Sequence, residues 1–421
     1  MKWRKVMCNV LLILPVNLLA ADIHYSIGST LTHSTNLNHE PVPANDELSQ
    51  SVRGMVSAVE NSASIVANVD MSVEAIHYTN NLASDSSNGQ LLGKALWNIR
   101  PGMFAWYVSD VYTQTAIDTL VSDTPANRQN VNAFSTGPNY YLRINRRSNF
   151  ELDGRLERYT YEDIIANNNN DRATTIAKLD YAFNPAVTTN LNYQITYVTY
   201  DDQVINTDFS RNDAFLGVDY VRGVNTVNLE AGYTNVNNYQ VNDVTASRYL
   251  VALQNQRSRS TIIRAEYNRE LSDSGIDVFN ITTAGNPVVS VNSDLYVRTS
   301  SSVNMVNTMS SGVLTINAHK IDSDYLSMVN LDQSLRAISI NHLLNLPRRS
   351  TLNLDGSYTQ TKFQFLNRID DDYLYGMTYT YSITRHVNFD LRAEQVERQS
   401  TDLQYNFDDT RIILTLEYVS R

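Results

Sequence analysis

Charged side chains recur in this chain at spacings of two. Asp153, Arg155 and Glu157 form one such run, Lys178 and Asp180 a second, Asp390, Arg392 and Glu394 a third, and Asp70 and Glu74 keep the same parity. A period of two places side chains on one face of an extended strand, and the opposite face of each run is apolar, as with Phe150, Leu152 and Leu156 against Glu151, Asp153, Arg155 and Glu157. Both signs interleaved with Asn, Gln, Ser and Thr make a wall that water and polar solutes wet, and not a single-sign ion filter. The same reasoning over the other alternating segments gives one predicted lumen-lining set: Asp70, Glu74, Arg143, Asp153, Arg155, Glu157, Lys178, Asp180, Glu230, Arg264, Glu266, Asp355, Asp390, Arg392 and Glu394.

Other chemistry is sparse. The chain has no nucleophile elbow, no H-E-x-x-H, no phosphate loop and no dinucleotide fingerprint, so no catalytic, metal-binding or cofactor-binding residue is assigned. His24, His33 and His39 are nine and six apart, which matches no zinc pattern. A hydrolase on an outer wall would need Ser and His side by side, and His319 and His342 fall on neighbouring predicted strands, which makes them the pair to locate. Asp201-Asp202, Asp370-Asp371-Asp372 and Asp408-Asp409 read as outer-loop charge, either solvated or bridging divalent cations to lipid phosphates.

The elements that must carry such a wall are strands. Val, Ile, Thr and Tyr dominate, 26 of the residues being Tyr, and period-two alternation persists almost to the C-terminus. Soluble sandwiches alternate too, so the connections decide. Tight polar turns recur at 61–64, 100–103, 146–149, 184–187, 222–225, 257–260, 309–312, 347–350 and 385–388, with longer Asn-, Asp- and Ser-rich loops between them. Short turns at one end and long loops at the other are the asymmetry of outer-membrane barrels. Nine turns predict eighteen strands, and a terminal strand at each end (23–31 and 410–419) makes about twenty, or eighteen if two candidates fail. The fold expectation is a single up-and-down antiparallel transmembrane β-barrel over 22–421, with turns and termini periplasmic.

The first residues place it outside the cytoplasm. Lys2, Arg4 and Lys5 precede an apolar run over 6–20 that ends at Ala20-Ala21, the pattern of a cleaved signal peptide spanning 1–21. Its removal takes away three positive charges and no acids, moving the net charge from −11 to −14, which argues against nucleic acid as a partner. Cys8 is the only cysteine and lies in that segment, so the remaining chain has neither disulfides nor thiolate ligands.

One stretch resists the pattern. Gly137-Pro138 interrupts the alternation of 132–144, and a proline inside a sheet removes a ladder donor. The expectation is a bulge, or a strand that rises above the membrane over 131–138, with Tyr140, Leu142 and Ile144 facing lipid and Tyr141 and Arg143 the lumen. Tyr159, Tyr161, Tyr181, Tyr220, Tyr325, Tyr373 and Tyr418 stand near predicted strand ends, at the level where amphipathic rings suit the membrane interface.

The segments 124–163, 169–183 and 209–236, together with 23–59, resemble the β-barrel porins encoded with exopolysaccharide and exosortase systems. The resemblance spans nearly the whole chain after residue 21 but consists of degenerate barrel patterns without an invariant catalytic residue. It implies an outer-membrane conduit for polysaccharide export, of eighteen strands in some members. The implied partners are outer-membrane lipids, a periplasmic polysaccharide-export protein, an inner-membrane polymerisation complex and, during biogenesis, the barrel assembly machinery. Recognition by that machinery would rest on Leu414, Leu416 and Tyr418. A general nutrient porin is the rival on the same architecture, and an outer-membrane lipid-modifying enzyme a third reading. A general porin would carry a long inward loop with acids facing an arginine ladder. No clear one reads from the sequence, although 271–292 is long enough for a constriction or lid.

Overall fold

The computed structural model describes residues 21–43, 45–118, 120–162, 168–203, 206–237, 243–273, 294–327 and 329–420. Twenty antiparallel strands form one sheet: β1 (Asp22–Ser34), β2 (Glu47–Asn61), β3 (Ile65–Tyr78), β4 (Ser86–Arg100), β5 (Phe104–Ala116), β6 (Arg128–Arg143), β7 (Ser148–Tyr161), β8 (Asn170–Asn184), β9 (Val187–Tyr200), β10 (Phe209–Arg222), β11 (Asn225–Asn237), β12 (Val244–Gln256), β13 (Thr261–Ser272), β14 (Tyr296–Met309), β15 (Gly312–Tyr325), β16 (Gln333–Leu346), β17 (Ser350–Phe363), β18 (Arg368–Ser382), β19 (Val387–Ser400) and β20 (Phe407–Val419). Each strand pairs with its neighbour in sequence, and β1 pairs with β20 from Ser26↔Val419 to Ser34↔Arg411, so the sheet closes on itself and has no free edge.

All nine predicted turns stand between paired strands, and the count is twenty. Asn61 to Ile65 and Arg100 to Phe104 are typical of that end. Gly102, with φ of +73°, supplies the left-handed residue that the second of these turns requires.

Apart from register shifts beside turns, between Trp97 and Arg100 and between Ala182 and Asn184, alternation holds, so the two faces of the wall can be followed around the ring. The outward face carries Ile23, Tyr25 and Ile27 on β1, Leu191, Tyr193 and Tyr197 on β9, and Ile412, Leu414 and Leu416 on β20, all exposed. Leu156 at 64%, Leu216 at 63% and Tyr233 at 66% show how fully this apolar belt is turned out. An apolar belt of this size on the outside, with polar groups inside, is the reverse of a soluble protein and suits hydrocarbon.

Pro138 departs from expectation. β6 is paired to β5 without interruption, and Pro138 stands opposite Trp106, the third residue of β5 from the turn end, so 131–138 is part of the wall and does not rise above it. Nor is there a bulge: pairing with β7 lapses between Thr136 and Asn139 and resumes in the same register. The backbones close on each other at that gap, for a Cβ on Gly137 would lie 2.0 Å from the Gly154 carbonyl oxygen. Only glycine fits there. The Arg155 guanidinium donates to the Pro138 oxygen at 3.2 Å and the Gly154 oxygen at 2.7 Å, supplying hydrogen bonds where the ladder lapses.

Candidate functional site: the lumen and its constriction

All fifteen residues of the predicted lumen set stand on the face opposite the apolar belt, as register places them. They do not converge on one point. Asp70 and Glu74 lie on β3, Glu74 opposite Arg53. Arg143 is at the turn end, with its Nε donating to the Asn145 oxygen at 3.3 Å. Glu230 pairs with Arg248 at 3.2 Å, Arg264 donates to Gln254 at 2.8 Å, and Glu266 stands opposite Ala252 and Ser302. Asp390 is opposite Thr380 and Thr415. Arg392 grips Asp355 through two bonds of 2.9 Å and reaches Glu394 at 2.7 Å.

Ion pairs here run along strands as well as across them. Arg155 meets Asp153 at 3.6 Å and Lys178 meets Asp180 at 3.3 Å, each within its own strand, and among the described residues no ion pair joins these charges across the two strands. Lys178 is instead in register with Glu151, and Asp153 with Ile176. The same one-residue gap joins Arg211 to Asp213 at 2.8 Å, Arg368 to Asp370 at 3.2 Å and Arg411 to Asp409 at 2.5 Å. A flexible guanidinium can bend back over two residues on one face, and in a narrow pleat that reach is shorter than a diagonal to the next strand.

The geometry concentrates at the loop end of β17–β20, where the sequence reading expected only loop charge. Asp370, Asp371 and Asp372 belong to β18, and Asp408 and Asp409 to β20. Asp370, Asp372 and Asp409 turn into the lumen, where Asp370 and Asp409 are 1% and 0% exposed. Arg398 on β19 holds Asp372 through bonds of 2.6 and 3.1 Å and approaches Asp370 at 3.7 Å. Arg411 on β20 joins Asp409, Glu394 at 3.2 Å and His39 at 2.9 Å. Arg368 lies between the rings of Phe363 and Tyr405, at 4.0 and 3.9 Å.

Into this cluster reaches the β5–β6 connection. The Leu120 oxygen accepts from Arg368 at 2.5 Å, and the Ser122 hydroxyl accepts from Arg398 at 3.1 Å. Along the wall β20 and β1–β4 lie between these partners, so the loop crosses a chord of the lumen. Its shape is kept by Asn127, which accepts from the Asp118 amide at 2.9 Å and donates to the Asp118 and Ser122 oxygens at 2.8 and 3.1 Å, and by Arg128, bidentate on Asp123. A cavity of about 680 Å³ lies between loop and wall, lined among others by Glu47, Glu74, Asp123, Arg398 and Arg411. This is an inward loop that the sequence reading did not find, and it meets the arginines through a carbonyl and a hydroxyl and not through acids. The alternation of 128–143 was legible, but nothing local marks 117–127 as bending inward.

A second inward contact lies elsewhere on the ring. Arg172 on β8, buried over Tyr159 at 4.6 Å, donates to Asp273 just past β13 at 2.7 Å, with β9–β12 between them along the wall. Leu271 and Leu295 join Val198, Tyr200, Phe209 and Val236 in a buried apolar cluster close by. Of the expected lid at 271–292, residues 274–292 lie outside the described residues. Tyr159, Tyr161 and Tyr325 turn inward and are buried, whereas Tyr181, Tyr220, Tyr373 and Tyr418 face outward. His319 and His342 stand on opposite faces, His319 paired with Ala337 and His342 with Leu314, so the pair considered for a hydrolase does not assemble.

No protein-family model and no curated protein matches the chain. Among solved structures, a mutant of the ferric enterobactin receptor PfeA from Pseudomonas aeruginosa superposes with a TM-score of 0.51 at 8% identity, over 95% of this chain and 80% of that one. The fold is that of a bacterial outer-membrane β-barrel. OccK2 (OpdF) of the same organism, solved with glucuronate, gives 0.42 at 9% identity over 96% of this chain and 99% of that one. A BenF-like porin from Pseudomonas fluorescens gives 0.42 at 9% over 96% and 100%. At these identities the likeness is one of fold. Within the barrel so placed, turns face the periplasm and loops the exterior.

Proposed function

We propose that the protein is a passive outer-membrane channel that admits small hydrophilic solutes through a hydrated, mixed-charge lumen narrowed by loop 117–127. The observation that carries this reading is the loop's attachment across the lumen to Arg368 and Arg398. A large barrel leaves an aqueous interior, and a loop tied across it sets the size limit without a moving part. The ion pairs around it cancel one another locally, which favours selection by size and hydrogen bonding over selection by charge. The test is planar-bilayer conductance and liposome swelling with sugars of graded size. Replacing Arg368 and Arg398 by Ala releases both contacts and is expected to raise conductance and admit larger sugars. Unchanged conductance and size limit in a correctly folded variant would remove the constriction role.

Polysaccharide export is the second reading, favoured by one observation. The lumen face of β9 holds Asn190, Asn192, Gln194 and Thr196, with Thr174 of β8 beside Thr196, a stretch of neutral amides and hydroxyls suited to sugar hydroxyls. In that reading the loop yields to the polymer, and a periplasmic export protein docks at the turn end. Normal polysaccharide secretion by a deletion strain lacking any paralogue would end it.

A further inference from the structure

Charge in the connections of this barrel is sorted by end. The ten loops hold sixteen Asp and Glu residues and no Lys or Arg, while the nine turns hold seven Arg and no acid. The seven stand at Arg146-Arg147, Arg348-Arg349, Arg257, Arg259 and Arg385, and Arg100, Arg143 and Arg222 close β4, β6 and β10 at the same end. All ten are exposed. None has an ion-pair partner among the described residues, where the pairs fall on arginines farther from the turns, such as Arg158, Arg211 and Arg392. The strand acids nearest this end, among them Glu151, Asp180, Asp219 and Asp390, face the lumen, and the buried Glu60 is the one acid on the outward face there among the described residues. The arginines occupy six of the nine turns and so are spread around the whole ring. Exposed aliphatic side chains accompany them: Ile99 beside Arg100, Ile144 in the turn with Arg146, Val224 after Arg222 and Ile383 before Arg385. Register puts Arg100 on the outward face opposite Phe104, with Trp97 and Trp106 facing each other just inside it, and Tyr220 is the next outward residue from Arg222.

We propose that the turn end is a collar that binds the anionic phospholipids of the periplasmic leaflet. Aromatic rings mark the boundary of the hydrocarbon, and the arginines lie one step beyond it, at the level of the headgroup phosphates. A guanidinium matches phosphate oxygens in geometry and charge, and anions between the arginines relieve their mutual repulsion. A soluble acidic protein would dock on part of the ring and leave the aliphatic turn residues in water. A leaflet surrounds the whole ring and takes in both kinds of side chain. A polyanion inside the pore would meet the lumen face, where acids are interleaved with the cations.

The test follows lipid beside the collar by tryptophan fluorescence. In a W3F background of the full chain, Trp97 and Trp106 are the only indoles, and both stand near Arg100 at the turn end. The barrel is refolded in detergent and reconstituted in phosphatidylcholine vesicles that hold a fixed fraction of either acyl-brominated phosphatidylglycerol or acyl-brominated phosphatidylcholine. Phosphatidylglycerol is expected to occupy the positions beside the indoles with roughly fivefold preference, the enrichment that one interfacial arginine gives, and so to quench more strongly. R100Q should remove that excess without changing the quenching by phosphatidylcholine, and R100K should keep most of it. R158Q, at the loop end, should leave it unchanged. Heat-modifiable migration reports folding, and if R100Q fails that check the W3F barrel is measured in about 1 M salt, where screening to about 3 Å should remove the same excess. Equal quenching by the two lipids in the W3F barrel would overturn the collar and leave the arginines to a soluble acidic partner. An excess that persists in R100Q, or in salt where salt takes its place, would overturn it as well.

Discussion

Gly137, Pro138, Gly154 and Arg155 form one unit. Proline removes a ladder donor, glycine lets the neighbouring backbone approach, and the arginine supplies hydrogen bonds to the carbonyls at the lapse. Gly137→Ala is expected to abolish the heat-modifiable folded band, because the new Cβ would meet backbone and not a yielding side chain. Arg155→Ala should fold but lose about 1–3 kcal/mol in urea unfolding, the cost of leaving buried carbonyls without a donor. His39, in the β1–β2 loop, is stacked on Phe407 at 3.9 Å, and burial, reinforced by Arg411, lowers its pKa to about 4. The docked loop therefore prefers neutral imidazole, while an undocked loop takes up a proton near the ordinary 6.5. Docking should be constant above that pH and weaken as pH falls from 6.5 toward 4, by roughly 3 kcal/mol at the lower limit. Hydrogen exchange of residues 35–43 across this range would follow it. His39→Phe should flatten the dependence, and an unaltered profile in that variant would assign it elsewhere.

At the scale of strands, the repeated device is the ion pair two residues apart on one face. Exposed pairs of this kind contribute little stability, about 0.2–1 kcal/mol each, so their effect is on the field inside the pore. Reversing Asp153 and Asp180 to Lys should move the reversal potential toward anion preference, with folding unchanged. No shift in selectivity would mean that ions do not pass close to β7 and β8. Burial sets some of these pairs apart: Arg211 with Asp213 and Arg368 with Asp370, within strands, and Arg172 with Asp273 are buried, and removing one partner of a buried pair is far more costly than removing a surface one.

Closure is a property of the whole ring. Thr30 and Thr415 share a hydrogen bond of 3.0 Å across the β1–β20 seam. The variant T30C/T415C should form a disulfide on oxidation and keep an unfolded-looking band compact on gels, while T30C/L414C, with its cysteines on opposite faces, should not. Failure of the first pair to oxidise in a folded barrel would contradict the seam's register.

Strand positions, turn ends, the two faces and the fifteen charged positions of the lumen face could be read locally, because side-chain alternation and turn chemistry are set by a residue and its immediate neighbours. Even the Arg-x-Asp and Asp-x-Arg pairs were visible as spacings, and scanning for them would have found Arg211, Arg368 and Arg411. What only the tertiary structure decided is where the connections go. Leu120 and Arg368 are 248 residues apart, and Ser122 and Arg398 are 276 apart. No local period encodes a loop's direction, and Asp370 becomes a buried partner and not a solvated loop charge only once β5–β6 has bent inward to meet β18 and β19. The closed ring makes that meeting possible, since it brings strands from opposite ends of the chain within a loop's reach of one another.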